Sequence, residues 1–227
     1  MNSNGPWEVF DDQLPLLSAT YGGGRARMVA LGLRGGGLAV WSPGKHADAA
    51  RDALKHWGDV RFLLAPNHFH NAGLAEWIKH APGAVVVAHP DAHARLRKQV
   101  PSITAIAGLD DLSTALPDGA RVFGPPMAKQ GETWLAVEKG DLRALAVCDS
   151  IVNMPRVPWA FWALGFRARL MTNPLFKRLF LTDKTAYKEW LLTELATHPP
   201  NVFIPSHGDV LRGAGVADDL KRVTEIA

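Results

Sequence analysis

The apolar positions of this chain follow two rhythms, and the switch between them marks out its elements. Residues 27–33 and 37–41 are nearly unbroken apolar runs on either side of Arg34-Gly35-Gly36, a pattern that predicts two strands joined by a tight hairpin. Ser42-Pro43-Gly44 closes this unit. From 46 to 57 the spacing changes: Ala49, Ala50, Ala53, Leu54 and Trp57 fall on one helical face, and Gly58 stops the helix. Residues 60–65 read as a short buried strand ending at Pro66. Asn71 is placed to cap a helix that runs through Leu74, Trp77 and Ile78. A strand over 84–88 and a helix over 91–100 follow.

Further along, 121–123, 133–137 and 142–148 read as strands, the last two joined through a Lys139-Gly140-Asp141 turn. The stretch 155–198 is aromatic and reads as mostly helical; 202–204 is a last short strand and 216–226 a closing helix. No repeat or low-complexity segment interrupts the pattern. Meandering strands mixed with strand–helix units predict an α/β protein with mixed sheets: two sheets face to face, helices outside, in one domain over 1–227.

Composition narrows the function classes. With 25 Lys+Arg against 22 Asp+Glu the net charge is +3, too mild to point to nucleic acid. The longest uncharged apolar run, 157–166, falls well short of the roughly 20 residues a membrane helix needs. The first ten residues carry Glu8 and no Lys or Arg, unlike a secretory signal, so a soluble cytoplasmic protein is expected. Cys148 is the only cysteine, which excludes an internal disulfide and a Cys-rich metal site. As a neighbour of Asp149 on an apolar strand, it reads as a buried, inert thiol.

Three strand ends carry polar residues that the runs before them do not require. These are Asn67-His68-Phe69-His70-Asn71, Asp149-Ser150 and Ser206-His207-Gly208-Asp209. Two histidines at i and i+2 can face one metal ion if their loop is bent, and loops beyond strand ends are where distant segments of an α/β protein converge. Taken singly, each has a plainer reading: Asp149 as a turn residue, Asp209 as a helix cap. His46, His56, His80, His89, His93 and His198 lack companion ligands and read as surface or packing residues.

The order of these motifs, with His207 in a Pro-x-His-Gly setting, resembles the metallo-β-lactamase superfamily over residues 20–227. More narrowly, Arg27-Met28, Ser42-Pro43, Trp57-Gly58, Pro66-Asn67 and Leu74-x-x-Trp77 look like a branch known mainly as a domain of unknown function. The resemblance implies a four-layer αββα sandwich of two mixed sheets. It also implies that His68 and His70 match the first two histidines of the family's His-x-His-x-Asp-His motif, Asp149 its bridging aspartate and His207 its last histidine. The chain departs from that motif at Ala72 and Gly73, where the family has Asp and His. No histidine occurs from 94 to 197, so a further family histidine is absent as such; Glu132, in Gly131-Glu132-Thr133, stands where the family often has Gly-His-Thr and is a possible oxygen ligand.

The implied site is therefore reduced: His68, His70, Asp149 and His207, with Glu132 as an added oxygen ligand. That set suits one Zn²⁺ with a bound water, or Fe²⁺, and His207 can complete it or serve as an acid/base beside Asp149. The expected function is hydrolysis of a small ester, thioester or phosphate-type substrate by metal-activated water. The competing expectation is a binding or scaffold module that kept the fold, lost its second metal position and holds no metal.

Residues 151–181 contain no Asp or Glu, but five basic residues and six aromatics. Three readings stand open. The segment is a pocket wall in which Trp159, Trp162 and Arg156 bind an apolar, acidic substrate; a basic amphipathic surface touching membrane peripherally; or helices packed by their aromatic faces.

Overall fold

The computed structural model describes residues 4–24 and 26–225, and the chain divides into two compact units, Met1–Asp118 and Gly119–Ala227. Each is built round its own sheet.

The first unit runs β1 (Glu8–Asp11), β2 (Leu16–Tyr21), β3 (Ala26–Gly32), β4 (Leu38–Trp41), α1 (Asp48–Leu54), β5 (Val60–Ala65), α2 (Leu74–His80), β6 (Val85–Ala88), α3 (Pro90–Gln99) and α4 (Leu109–Ser113). Its six strands lie in sequence order. The chain meanders antiparallel from β1 to β4 and then pairs β4, β5 and β6 in parallel. The change of direction follows from the connections: links of four or five residues return the chain antiparallel, whereas α1 and α2 carry it back for parallel pairing. One face of the sheet packs Met28, Val40 and Leu63 against Leu54, Trp77 and Leu96 from the helices. Val29, Leu31, Trp41 and Leu64, which alternate with them, are buried as well. Burial of both faces explains why these strands read as continuous apolar runs.

The second unit runs β7 (Ala120–Phe123), β8 (Trp134–Lys139), β9 (Leu142–Val147), β10 (Ile151–Asn153), α5 (Trp159–Ala163), β11 (Leu170–Thr172), a π-helical turn (Phe176–Phe180), α6 (Lys184–Thr197), β12 (Val202–Pro205), β13 (Leu211–Arg212) and α7 (Val216–Glu225). Its main sheet has the order β13-β12-β9-β8-β7, with β9 and β12 parallel and the other pairs antiparallel. Tyr187, Leu191 and Leu195 of α6 pack with Phe176, Phe203 and Leu220 against Trp134, Leu145 and Val147. The Asp183 carboxylate caps α6 by accepting from the Ala186 backbone N–H at 2.9 Å.

The expected mixed sheets and most expected strands are present. The differences have local causes. β2 carries the polar Ser18 inside the sheet, where Arg27 donates to its hydroxyl at 3.0 Å, so its sequence lacks a clean apolar run. The expected helical stretch 155–198 contains a strand, β11, that pairs antiparallel with β10. Asn71 does not cap α2: Gly73 occupies that position, and the Asn71 side chain donates instead to the His68 carbonyl at 2.6 Å. Ile226, the expected end of the closing helix, lies outside the described residues.

Leu191 is fully buried at the centre of the second unit's core. Leu191→Ala is expected to lower stability by about 2–5 kcal/mol, the range for truncating a close-packed leucine, read as a fall in the chemical denaturation midpoint.

Candidate metal centre

In the first unit, the chemistry sits at the ends of two neighbouring parallel strands. β4 and β5 run side by side, and the Ser42 N–H just past β4 donates to Leu64 O of β5 at 2.9 Å. Beyond β5 the chain must turn at once, and Asn67 makes it do so. This buried residue accepts from the backbone N–H groups of Phe69 at 2.7 Å and His70 at 3.1 Å through a single side-chain oxygen. The loop that carries His68 and His70 is thereby bent.

His70 is buried, and its Nδ1 lies 2.9 Å from the Ser42 hydroxyl, which in turn lies 3.2 Å from the Tyr21 hydroxyl. Ser42 holds a left-handed backbone, φ 57°, a conformation that costs a residue with a Cβ roughly 1 kcal/mol or more. The cost is offset by hydrogen bonds at both its N–H and its hydroxyl. His68 is half-buried and packs edge-on against Phe69, ring centroids 4.2 Å apart. Among the described residues it joins no group of three His, Cys, Asp or Glu side chains with converging ligand atoms.

Ala72 and Gly73 follow on this loop. A Cβ built on Gly73 would overlap the backbone of Pro43 and Gly44, and the Trp77 indole N–H anchors that same turn by donating to Gly44 O at 2.9 Å. Position 73 is therefore closed to any side chain while the 43–44 turn stays where it is.

The second unit repeats the design. β9 and β12 are parallel neighbours, Val147 opposite Pro205, so the loops that follow them emerge side by side. Asp149 leaves β9 and His207 leaves β12. His207 Nε2 and Asp149 Oδ1 meet at 3.1 Å, and both side chains are largely shielded, 30% and 16% exposed. Side chains beyond the carboxyl ends of adjacent parallel strands are where open α/β sheets bind their ligands.

Two devices fix this pair. The first is Glu132, expected from its sequence position as a metal ligand. It is buried, and its Oε1 accepts from the backbone N–H of Asp149 at 3.0 Å, that of Ser150 at 2.8 Å and the Trp134 indole at 3.2 Å. Its Oε2 accepts from Gln130 at 2.8 Å. Burial, and then the negative charge of Asp149, push the Glu132 carboxyl up from its ordinary value, while hydrogen bonds from Ser150 and Gln130 oppose that shift. The second device is Gly208, whose φ of +106° belongs to glycine. A Cβ there would overlap Asn153 O. The close approach lets the Asn153 N–H donate to His207 O at 3.0 Å and the Asp209 N–H donate to Asn153 O at 2.9 Å.

Cys148, Glu132 and Asp149 bring potential ligand atoms within 4.8 Å of one another. Burial, and then the charges of Asp149 and Glu132, drive the Cys148 thiol well above its ordinary value, the environment of a buried thiol rather than of an activated nucleophile. Trp159 and Trp162, expected in a substrate pocket, stand 86% and 60% exposed on α5, and Arg156 is exposed just before it. The sequence offers no chemical reason to assign Ser42 and Asn67 a role in the site. Only their places directly after apolar runs, the same signal that marked His70, pointed to them.

No family model matches the chain, and no curated protein matches it. Solved structures do. It is similar to the DIM-1 metallo-β-lactamase, with 11% identity, a TM-score of 0.58, and 97% of this chain and 96% of that one covered. Similarity to the metallo-β-lactamase of Erythrobacter litoralis gives 12% identity, a TM-score of 0.60, and 97% and 96% coverage. With VMB-1 the identity is 7%, the TM-score 0.61, and coverage 100% and 99%. The chain thus has the metallo-β-lactamase fold.

Glu132→Ala strips the acceptor from four donors, each worth about 1–3 kcal/mol when buried and unsatisfied. It is expected to lower the denaturation midpoint far more than Glu132→Gln, which keeps one oxygen. Gly208→Ala is expected to cost at least about 1 kcal/mol from its backbone alone, measured the same way.

Proposed function

We propose that this chain is a metal-dependent hydrolase holding a single ion at the Asp149–His207 pair of its second unit, and acting on a small ester, thioester or phosphate-type substrate. The observation that carries the reading is the Asp149–His207 pair, an imidazole nitrogen and a carboxylate oxygen aimed at each other from adjacent parallel strands. His70 supports it. With Nδ1 engaged by Ser42, the ring is held in one orientation, the arrangement by which an outer hydrogen bond fixes the tautomer of a histidine that binds metal through Nε2.

Imidazole and carboxylate donors suit Zn²⁺ with a remaining water position, and Fe²⁺ is the second choice for the same donors. Bound there, the ion supplies water activation and polarisation of the scissile centre. The protein's own part is positional. Ser42 and Asn67 orient His70, Glu132 holds the 149–150 turn from behind, and Gly208 lets His207 sit against the 153 backbone. Glu132, with both oxygens occupied by protein donors, belongs to this supporting role. His68, packed on Phe69, is left out of the ligand set. One ion rather than two follows from Ala72, which has no donor, and from Gly73, where the 43–44 backbone leaves no room for one. The neighbours described as metallo-β-lactamases supply the precedent for metal-dependent hydrolysis in this fold.

Protein purified without chelators is expected to hold about one equivalent of zinc or iron by elemental analysis, and His207→Ala to hold less than about a tenth. A wild-type content below about a tenth of an equivalent overturns the proposal and leaves the binding-module reading.

A further inference from the structure

The second unit exposes apolar surface that its core does not use. α5 buries none of its residues, and Trp159, Phe161, Trp162 and Leu164 all face solvent, as does Leu179 on the π-helical turn. Scattered apolar side chains are ordinary on a surface, but two tryptophans, a phenylalanine and a leucine within six positions are not. The helix is also held firmly in this pose. Arg167 stacks on the Trp162 ring, 4.5 Å from its centroid, and donates to the carbonyls of Trp162 at 3.0 Å and Phe166 at 2.7 Å. Phe161 packs edge-on against buried Phe166 at 5.4 Å.

Directly beside this helix opens a cavity of about 650 Å³. Gly165, next after Leu164, lines it, and Arg178, another lining residue, donates to Leu164 O at 3.3 Å. Its charged lining consists of Arg169, Lys177, Arg178, Lys184 and Arg222 against Asp219 alone. Asp219 pairs with Arg222 at 2.8 Å, so the cavity keeps a strong cationic excess.

We propose that this face docks on an anionic phospholipid bilayer. Trp159, Phe161 and Trp162 enter the headgroup–acyl boundary, where amphipathic indole rings are favoured, and the cations of the adjoining cavity receive a lipid phosphate. Peripheral attachment needs two signals to be stable, an apolar insertion and an electrostatic attraction to acidic lipid. Here the two lie side by side on one unit. Five basic residues and no acidic one across 151–181 make the charge complementary to such a surface. This surface uses none of His70, Asp149 or His207, so it stands apart from the metal proposal.

The test is co-sedimentation of the full chain with vesicles of phosphatidylcholine, with and without about 30 mol % phosphatidylglycerol, at about 0.1 M salt. Binding to the acidic vesicles is expected to be at least about tenfold tighter, and to weaken when salt is raised to about 0.5 M. Trp159→Ala with Trp162→Ala, and separately Arg169→Glu with Arg178→Glu, should each reduce it about tenfold or more, with unchanged melting temperature. The aromatic variant should also lose the blue shift of tryptophan emission on vesicles. Failure to bind acidic vesicles overturns the proposal, as does binding that survives the tryptophan substitutions. Full competition by inorganic phosphate, with no dependence on the tryptophans, overturns it in favour of a soluble anion site. Self-association in sedimentation velocity that the aromatic variant abolishes overturns it in favour of a second copy of the chain.

Discussion

A carboxylate with no access to water does not stay in a protein interior unless something satisfies it, and Glu132 is satisfied by the turn it supports. Its oxygens gather the N–H groups of two successive residues, an indole and an amide. The backbone donors belong to Asp149 and Ser150, just past Cys148 at the end of β9, so the direction in which Asp149 leaves its strand is set by a neighbouring strand's leading loop. His207 is then carried to Asp149 by the parallel pairing of β9 with β12 and the close approach of Gly208 to Asn153. The pair therefore rests on backbone hydrogen bonds and one buried carboxyl group, with little left to side-chain flexibility.

The first unit reaches the same end by other means. Ser42 in a left-handed conformation and Asn67 in a side-chain turn are both paid-up local distortions, and they converge on one imidazole. Irregular backbone just past regular strands is what allows a short motif to face a ligand, and it is also where a local reading of sequence says least.

Much of the fold was legible because the strands that position the site are buried on both faces. Val60–Ala65 and 142–148 announce themselves as apolar runs, and the polar residues after them, His70, Asp149 and His207, stand out by contrast. Glu132 was noticed, but only its environment reveals that its oxygens face protein donors. β10 and β11 went unseen since each is three residues long and they pair across the aromatic stretch between them, a non-local bond that no short window contains. Asn71 looked like a cap because asparagine before an apolar helix commonly is one; here the loop's carbonyl competes for its side chain, and Gly73 takes the position. The exposure of Trp159 ran against the usual expectation that tryptophan packs, and periodicity in so short a helix offers no means of telling an inward face from an outward one.

The contact between Gly73 and the 43–44 turn bears on how such a scaffold changes over generations. A donor at position 72 needs one codon change, yet a donor at 73 must wait until the opposing turn, pinned by Trp77, has been rebuilt. Intermediates on that route pass through a clash of backbone with side chain, so a side chain at position 73 is blocked by sterics well before selection on chemistry has any say.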